Sequence, residues 1–360
     1  MMSSKGKVLI AMRGGVDSSV TAWLLKEQGY ECVGAIMRLY ENETAGLSQD
    51  SRTCCSLEDV EDARSVARRL EMPFYVFNFK DDFSENVIRR FVDTYEQGRT
   101  PNPCIDCNRY LKFGGLYRRA RELGCDFIAT GHYARISQAS NGRWQLKKAV
   151  DVPKDQSYVL YSLTQEQLAH TLLPLGELTK AQVREIAEAQ GFVNARKHDS
   201  QDICFVPDGD YAAFLERYTG HSYPPGDFLD EAGNRLGTHK GIIRYTIGQR
   251  KGLGVSADEP VYVQKKDAAS NTVTLAPNDR LFTADLDADD VNWLSIPAPD
   301  SPIRVTARTR YHQPEQPAVL RITGPDRIHL TFDVSQRAIA AGQAVVFYDG
   351  DAVLGGATIL

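Results

Sequence analysis

The first 135 residues alternate short apolar runs with stretches in which apolar residues recur every three or four positions. Apolar runs occupy residues 8–12, 32–39, 74–79 and 127–130. This alternation predicts an α/β fold, with a parallel sheet whose strands are joined by crossover helices. The last run leads directly into Gly131, and such sheets bind ligands at the carboxyl ends of their strands. We therefore expect a ligand near this glycine.

Several helix boundaries are marked by capping residues. Ser56 with Asp59 predicts the start of a helix that ends near residue 70. Thr164 and Thr179, each followed three positions later by Gln, predict two more helix starts. Between residues 83 and 95, apolar side chains recur at fourfold spacing, which is typical of a helix with one buried face. This α/β pattern continues to about residue 208.

Beyond residue 208 the pattern changes to strands. Glycine and proline become frequent, and turns separate strand-like runs at 261–265, 272–275, 303–309, 319–322 and 344–348. A break near residues 277–285 divides this part in two. We predict an α/β domain at 1–208, a small central β-rich domain at 209–278 and a C-terminal β-barrel at 279–360.

Composition and charge narrow the class of protein. Of 360 residues, 42% are hydrophobic and 25% charged, which indicates a globular chain and not a disordered or fibrous one. We find neither an apolar stretch long enough to cross a membrane nor a signal peptide, so we expect a cytoplasmic protein. The net charge is −5, yet residues 109–121 and 235–251 each contain five basic residues and no acidic ones. These runs are either solvated faces or contacts for a polyanion.

Residues 8–20 carry the strongest chemical signal. An apolar strand ends in Gly14 and Gly15, and Asp17 and Ser18 then open an amphipathic helix. The glycines let the backbone approach an anion, and hydroxyl and N–H groups at a helix N-terminus favour negative charge. Asp17 fits among these donors if it binds Mg²⁺ or positions a nucleotide, because a bare carboxylate would repel phosphate. The sequence predicts a phosphate-binding loop that differs from the Walker and GxGxxG types.

This loop resembles the SGGxDS loop of N-type ATP pyrophosphatases, the PP-loop family. The resemblance implies cleavage of ATP between its α and β phosphates to adenylate a substrate. Arg13 stands where the family pattern has Ser. A guanidinium can donate two hydrogen bonds to phosphate, but its bulk occupies a point where the backbone must come close. Retained and impaired ATP turnover are equally compatible with Arg13.

Two of the seven cysteines have contexts that favour reactivity. Cys107 closes a CxxC motif after Thr-Pro-Asn-Pro, and we place it at the N-terminus of a basic helix that begins near Asn108 and contains Arg109 and Lys112. Such surroundings favour a thiolate, so Cys107 is a credible nucleophile. Cys204 follows a polar, partly basic segment, and the two thiols would meet across one site.

Other functions for the cysteines remain open. The CxxC motif is also compatible with half of a zinc or redox site, although no second CxxC completes one, and Cys204 is compatible with a buried apolar role. Cys32 and Cys125 are expected in the core. The Cys54-Cys55 pair has no assigned role.

Motifs along nearly the whole chain resemble the bacterial tRNA-specific 2-thiouridylases. They are the loop at 11–18, TPNPCxxCN, ATGHY, KDQSY, KHDSQDICFV and GQAVVFYDGD. The resemblance implies ATP-dependent 2-thiolation of the wobble uridine in the tRNAs for Glu, Gln and Lys, through adenylation of the uracil 2-oxygen. The implied partners are ATP, Mg²⁺, the anticodon stem-loop of tRNA, and a cysteine desulfurase or sulfur-relay protein as sulfur donor.

The same resemblance implies roles for individual residues. Cys204 would carry the persulfide, and Cys107 would act as the catalytic nucleophile, leaving a Cys107–Cys204 disulfide that a reductant reopens. The ATP site would comprise Ala11, Met12, Arg13, Gly14, Gly15, Val16, Asp17, Ser18, Met37 and Gly131. Contacts to tRNA would comprise Asn102, Pro103, Cys104, His132, Lys154, Asp155, Gln156, Arg310, Tyr311 and Gln343.

Cys104 is a second variation, because some members of the family have Asp at this position. With Cys104 the site offers three thiols, Cys104, Cys107 and Cys204, and three thiolates can hold an iron–sulfur cluster with one open iron. We rank this route below the persulfide route. Two further functions remain: another adenylating ligase with the same loop, or a non-catalytic tRNA-binding or thiol-sensing protein if Arg13 disables the ATP loop.

Overall fold

The structure, a computed structural model, describes residues 5–40, 57–195, 197 and 203–360. The strands within these residues are β1 Lys7–Ala11, β2 Glu31–Arg38, β3 Phe74–Asn78, β4 Phe127–Ala129, β5 Ala134–Gln138, β6 Trp144–Lys148, β7 Thr171–Leu172, β8 Gly226–Leu229, β9 Arg235–His239, β10 Val261–Asp267, β11 Thr272–Pro277, β12 Phe282–Trp293, β13 Ile303–Arg308, β14 Gln316–Gly324, β15 Arg327–Arg337, β16 Ala344–Asp349 and β17 Ala352–Ile359.

The helices of the described residues are α1 Val16–Glu27, α2 Leu57–Arg69, α3 80–96, α4 103–122, α5 Gln165–Ala169, α6 Lys180–Ala189 and α7 Tyr211–Thr219. Helices α3 and α4 each contain a wider π-helical stretch, at Ser84–Arg89 and Cys107–Leu116. Short 3₁₀ turns lie at Val152–Lys154, Ser157–Leu160, Pro174–Glu177, Ile242–Arg244 and Asn278–Leu281.

The N-terminal part contains the predicted parallel sheet, with strand order β3-β2-β1-β4-β7. Successive residues of β1 pack into different cores: Leu9 lies in one, and Val8 and Ile10 lie in the other. A strand buried on both faces explains the uninterrupted apolar run. The strand order reverses at β1, so the carboxyl ends of β1 and β4 border the crevice where such sheets bind ligands.

The two Thr–Gln capping signals and the fourfold apolar pattern are confirmed in the structure. Thr164 and Thr179 each accept a hydrogen bond from the backbone of the Gln three residues later, and each Gln side chain accepts one in return. The fourfold apolar pattern lies within α3, with its members buried. The predicted cap Ser56 and the pair Cys54-Cys55 lie outside the described residues.

The central part is a four-stranded sheet in the order β10-β11-β8-β9, preceded by α7. The expectation of an all-β second half is therefore wrong at α7. This helix has Asp210 at its N-terminus, accepting a hydrogen bond from the Ala213 amide, and Gly220 in the left-handed conformation at its end. Both signals were present in the sequence.

The C-terminal part is a closed six-stranded barrel in the order β12-β15-β14-β13-β16-β17, with β12 also pairing with β17. The hairpin β5–β6, from the N-terminal part, joins this barrel because β6 pairs with β17, Leu146 opposite Val353. Strands from distant parts of the sequence thus tie the α/β part to the barrel. Within the described residues, no helix is long and apolar enough to cross a membrane.

Candidate active site

The phosphate loop connects the end of β1 to the start of α1. The Ser18 and Ser19 hydroxyls donate to the Gly15 carbonyl at 3.0 and 3.1 Å, which closes the loop on itself. Gly14 has φ +65°, and a Cβ there would lie 2.5 Å from the carbonyl oxygen of Asp59, so only glycine fits. A Cβ on Gly15 would meet nothing within 4 Å. No side chain caps α1, and unsatisfied N–H groups at a helix N-terminus are suited to bind an anion.

Gly131 brings β4 against this loop. A Cβ at Gly131 would lie 2.9 Å from the Asp17 Cβ and 3.1 Å from the Ser18 amide nitrogen. Met37, the penultimate residue of β2, is buried at the same edge of the sheet. The residues predicted to bind ATP therefore lie together at the carboxyl ends of β1, β2 and β4.

Asp17 has partners that the sequence did not reveal. The Lys180 ammonium donates to both carboxylate oxygens of Asp17, at 2.7 and 2.9 Å, and the Tyr133 hydroxyl donates at 2.8 Å. Lys180 lies at the start of α6, far from the loop in sequence. The ammonium neutralises the carboxylate, which explains how Asp17 is tolerated among phosphate-binding groups.

A second group of side chains supports the loop from outside. The Asn194 amide donates to the Gly14 carbonyl at 3.0 Å and to the Ser19 hydroxyl at 2.9 Å. The Lys197 ammonium donates to Asp59 at 2.7 Å, on the helix that packs against Gly14. Sequence reasoning missed these residues because their local context carries no motif.

The CxxC motif lies in the first turns of α4. The predicted helix start near Asn108 is wrong, because α4 begins at Pro103, a residue favoured at the first helical position. Cys104 is therefore in the first turn and exposed, whereas Cys107 is half-buried at the start of the π-helical stretch. Lys112 follows five residues later, and π-helical i→i+5 hydrogen bonds place it one wide turn from Cys107.

The ammonium group of Lys112 lies deep in the protein, although its side chain as a whole is half-buried. It lies 3.2 Å from Nε2 of the buried His132, whose Nδ1 lies 2.7 Å from the Thr130 hydroxyl. Burial lowers the pKa of Lys112, and the Arg13 guanidinium lowers it further. Burial also lowers the pKa of His132 well below its usual value, with Lys112 and Arg13 acting in the same direction. The basic groups of Lys112, Arg13 and His132 are therefore close enough to act on one another's pKa.

All three candidate thiols lie around this ammonium. The thiolates of Cys107, Cys104 and Cys204, in decreasing order of effect, act on the pKa of Lys112 in the upward direction. Arg13 acts on the same group and belongs to the phosphate loop. The thiols and the phosphate loop are therefore all close enough to Lys112 to act on its charge.

Cys204 is held by the residue that follows it and by a hydrogen bond to its backbone. Phe205 packs against Phe83, Phe91 and Phe214, with ring centroids 5.6, 5.2 and 5.1 Å away. The Tyr40 hydroxyl donates to the Cys204 carbonyl. The thiol is thus attached to a firm aromatic core next to the end of β2, while residues 198–202 lie outside the described part of the chain.

The residues near KDQSY that were predicted to contact tRNA have internal partners. The Asp155 carboxylate is buried and accepts hydrogen bonds from the Ala149 and Ser157 amides, at 3.1 and 3.2 Å. The Gln156 side chain accepts from the Tyr133 amide at 3.0 Å. Lys154 is half-buried at the end of a 3₁₀ turn. Their contacts with RNA stay predictions.

The predicted contacts in the barrel also bond within the protein. The Arg310 guanidinium donates to the Ile247 and Ala338 carbonyls, and the Tyr311 hydroxyl donates to the Asp155 carbonyl at 3.0 Å. The Gln343 amide donates to the carbonyls of Thr100 and Pro101, just before Asn102 and Pro103. The barrel therefore reaches the segment that carries Cys104.

Much of the expected basic surface is neutralised by acidic side chains. Arg109 pairs with Asp290 at 2.5 Å. A similar pair joins Arg244 to Glu216, and outside the two basic runs Arg304 pairs with Asp333 and Arg308 with Glu315. Lys240, Arg250 and Lys251 form no ion pair with a described residue and are exposed.

The described residues contain no group of three His, Cys, Asp or Glu side chains arranged to hold a metal ion. This applies to Cys104, Cys107 and Cys204 as they are placed here, so the cluster hypothesis receives no support from their geometry. For Mg²⁺, the oxygens of Asp17 are already engaged by Lys180 and Tyr133. Both metals stay predictions.

Comparison with known proteins decides the family. Three family models match successive parts of the chain: the tRNA methyl transferase HUP domain at 6–208, the tRNA methyl transferase PRC-barrel domain at 212–277 and the aminomethyltransferase beta-barrel domain at 283–359. The tRNA-specific 2-thiouridylase MnmA of Clostridioides difficile strain 630 is 50% identical over 354 residues, covering 98% of each chain. MnmA of Halothermothrix orenii is 51% identical over 355 residues, again covering 98% of each.

The chain belongs to the tRNA-specific 2-thiouridylase family. The resemblance inferred from the motifs is thereby confirmed, as is the predicted fold of a parallel-sheet PP-loop domain followed by a small β domain and a barrel. The domain limits at 208 and 278 and the individual 2-thiouridylase site residues stay predictions.

Proposed function

We propose that this protein transfers sulfur to carbon 2 of a uridine in tRNA and consumes ATP to do so. The observation that carries the proposal is the position of Lys112, which interacts electrostatically with Cys107, with Cys204 and with Arg13 of the phosphate loop. An enzyme that activates a base with ATP and then adds sulfur needs these two kinds of group at one site. Relatives named tRNA-specific 2-thiouridylase, matched over nearly the full chain, support the same reaction.

The phosphate loop fits ATP as the first substrate. The uncapped start of α1, the open space at Gly15 and the close approach of Gly131 leave backbone N–H groups available to phosphate. The uracil 2-oxygen attacks the α-phosphorus, and the bond to the β-phosphate oxygen breaks to release pyrophosphate. The amides of this loop stabilise the charge that develops on the leaving group. Asp17 is not assigned to Mg²⁺ here, and no step depends on a metal.

Sulfur then replaces the activated oxygen. The outer sulfur of a Cys204 persulfide attacks carbon 2, and AMP leaves with the former uracil oxygen. The Cys107 thiolate attacks the Cys204 sulfur, which breaks the S–S bond and leaves its electron pair on the new thiocarbonyl group. A Cys107–Cys204 disulfide remains, and a thiol reductant restores both thiols with two electrons and two protons.

Lys112 suits this sequence because a buried ammonium near the thiols supplies positive charge where a thiolate has to form. In an interior of low polarity such a charge stabilises a thiolate more than it would in water. His132 is a neutral imidazole at neutral pH and not an imidazolium, because burial holds its pKa well below the usual value. It therefore orients the Lys112 ammonium, using Thr130 as its own partner.

We further propose that the target is the wobble uridine of the tRNAs for Glu, Gln and Lys, with sulfur delivered by a cysteine desulfurase or a relay protein. A base in a loop can be turned out of its stack to enter a pocket, as enzymes acting on single bases require. Lys240, Arg250 and Lys251 are exposed cations suited to the RNA backbone.

The test combines the purified protein with ATP, a persulfide donor and unmodified tRNA, and measures thiouridine and AMP by mass spectrometry. We expect both products, with thiouridine confined to the wobble position. Cys204→Ser and Cys107→Ser should abolish thiouridine, whereas Cys125→Ala, a core cysteine away from the site, should retain it. AMP without thiouridine from the parent protein would favour another adenylating ligase. Neither product, with tRNA still bound, would favour a non-catalytic protein, and Arg13→Ser would then show whether Arg13 blocks ATP.

A further inference from the structure

The barrel contacts the CxxC segment on both sides. Ahead of the motif, the loop at 338–343 lies against residues 99–101; beyond it, Asp290 of β12 pairs with Arg109. Both contacts are made by the barrel and both fall within a few residues of Cys104 or Cys107. This suggests a role for the barrel in the arrangement of the thiols themselves.

The first contact is a set of three hydrogen bonds around a glycine. The Thr100 amide donates to the Ala341 carbonyl at 2.8 Å, and the Gln343 amide donates to the Thr100 and Pro101 carbonyls at 3.1 and 3.0 Å. Between them lies Gly342, where a Cβ would approach the Thr100 backbone to 3.1 Å. The two segments therefore lie in close contact, and the Thr100 amide and the Thr100 and Pro101 carbonyls are satisfied by the barrel.

The loop at 338–343 is itself fixed, so it can act as a support. The Gly342 amide donates to the Ile359 carbonyl at 2.8 Å, and the Ile359 amide donates back to Gln343 at 2.8 Å. At its other end, the Ala338 carbonyl accepts a hydrogen bond from Arg310, which also donates to Ile247 of the central part. Displacing this loop would disrupt the last strand of the barrel and the contact with the central part.

The second contact holds the far side of the motif. Arg109, two residues after Cys107, is one-fifth exposed and pairs with Asp290 at 2.5 Å. Arg109 also lies over the ring of Tyr161, with its guanidinium carbon 6.0 Å from the centroid. A guanidinium held by a carboxylate and an aromatic face has few alternative positions. The start of α4 is consequently fixed both before and after the two cysteines.

We propose that the barrel is a positioning element of the thiol site, in which Gln343 and Asp290 hold the CxxC segment from its two sides. Gln343, which the family resemblance assigns to tRNA, thereby acts on the rate of sulfur transfer through the placement of Cys104 and Cys107. This inference rests on the proposed function for its kinetic part. Small displacements of a reacting group reduce rates strongly, so loss of either contact affects turnover more than affinity for tRNA.

The test uses Gln343→Leu, Asp290→Asn and the double variant, with Gln138→Leu as the matched control. Gln138 is an exposed glutamine that also donates to a backbone carbonyl, that of Gly142, away from the site. Asn suits position 290, whose φ is +51°, because Asn tolerates this conformation. We expect kcat for thiolation to fall about tenfold in each single variant, with KM for tRNA changed less than about twofold. The control should match the parent.

A second readout is independent of catalysis. Hydrogen exchange of peptides covering residues 97–104, and maleimide labelling of Cys104, are measured on the full protein without ATP or tRNA. Both should be faster in Gln343→Leu than in the parent and in Gln138→Leu. If the leucine variant does not fold, Gln343→Glu asks the same question, since a carboxylate cannot donate to the two carbonyls.

The outcomes separate the two proposals. Faster exchange and labelling support the positioning role even if the parent protein fails to make thiouridine, a result that would refute only the proposed function. Unchanged exchange and labelling would overturn the inference. A raised KM for tRNA with kcat preserved would also overturn it, and would show that Gln343 acts as an RNA contact.

Discussion

The phosphate loop and the thiol site are built in opposite ways. The backbone of the loop comes from one continuous segment, residues 11–18, which Ser18 closes by donating to Gly15, although Lys180 and Asn194 hold it from outside. The thiol site combines the start of α4, the end of β4 and the segment after residue 203, and Lys112 lies at its centre. A site made from neighbouring residues can be recognised as a sequence motif, whereas a site made from distant segments can be recognised only in the folded structure.

The largest effect should come from the centre of the thiol site. Lys112→Met removes the interior ammonium while keeping a long side chain. Because a fixed charge at a reacting centre is worth two to three orders of magnitude in rate, we expect thiouridine formation to fall about 100-fold. Binding of ATP, measured by calorimetry, should change little. Equal losses in both measurements would mean that Lys112 supports the phosphate loop as well, which would erase the distinction between the two regions.

A change that supports only the phosphate loop should instead act first on stability and on ATP binding. Lys180→Met leaves the Asp17 carboxylate without its ammonium partner, and removing one member of a largely buried pair costs about 3 kcal/mol of unfolding free energy. ATP binding should weaken because an uncompensated negative charge faces the phosphates. Adding Asp17→Asn should restore much of the stability in urea unfolding. If the double variant is no more stable than Lys180→Met, the pair is not the source of the loss.

A smaller effect is expected where β4 meets the loop. Gly131→Ala would place a methyl group 2.9 Å from the Asp17 Cβ, so the loop must shift. Overpacking of this kind costs about 1–3 kcal/mol, and we expect ATP affinity to fall about tenfold. Gly124→Ala is the control for the loss of a glycine, because a Cβ there meets nothing within 4 Å, although its φ of +69° carries its own strain. Equal ATP affinity in the two variants would remove Gly131 from the site.

Whether a contact joins residues close together or far apart in the sequence also decides whether it could be predicted. The strands of the parallel sheet, the two capping boxes and the strand–loop–helix form of the phosphate loop depend on neighbouring residues and are confirmed in the structure. The partner of Asp17 lies 163 residues away, and Gln343 lies 243 residues from Thr100. Nothing near Lys180 or Gln343 marks these contacts, because the fold alone brings them together. The start of α4 was misplaced although Pro103 carried the signal.

The smallest effect on activity should come from a second interior lysine, outside both regions. Burial lowers the pKa of Lys266 to about 8, and its ammonium lies near the Tyr95 ring with no hydrogen-bond partner among the described residues. In the unfolded chain its pKa is near 10.5, so folding penalises the protonated form. Lys266→Met should leave thiolation unchanged and stabilise the protein at pH 7 by about 3 kcal/mol.

The pH dependence gives the sign of this effect. Between pH 8 and 10.5 the unfolded chain binds more protons at Lys266 than the folded chain, so the parent gains stability as pH rises through this range. The gain should be absent in Lys266→Met. Denaturant unfolding of both proteins at pH 7 and pH 10 checks this, and parallel behaviour of the two would contradict it. If Lys266→Met retains thiolation, burial of a lysine without neighbouring thiols is not sufficient to form a reactive site.

The most direct test of a single site uniting ATP and two exchangeable sulfurs is a single turnover of the persulfide-loaded protein without reductant. The reaction is quenched with an alkylating agent, and thiouridine and the Cys107–Cys204 disulfide peptide are quantified together. One disulfide should form for each thiouridine. Neither should form when ATP is replaced by an analogue that cannot be cleaved between its α and β phosphates. Thiouridine formed while both cysteines remain alkylated as thiols would contradict the account.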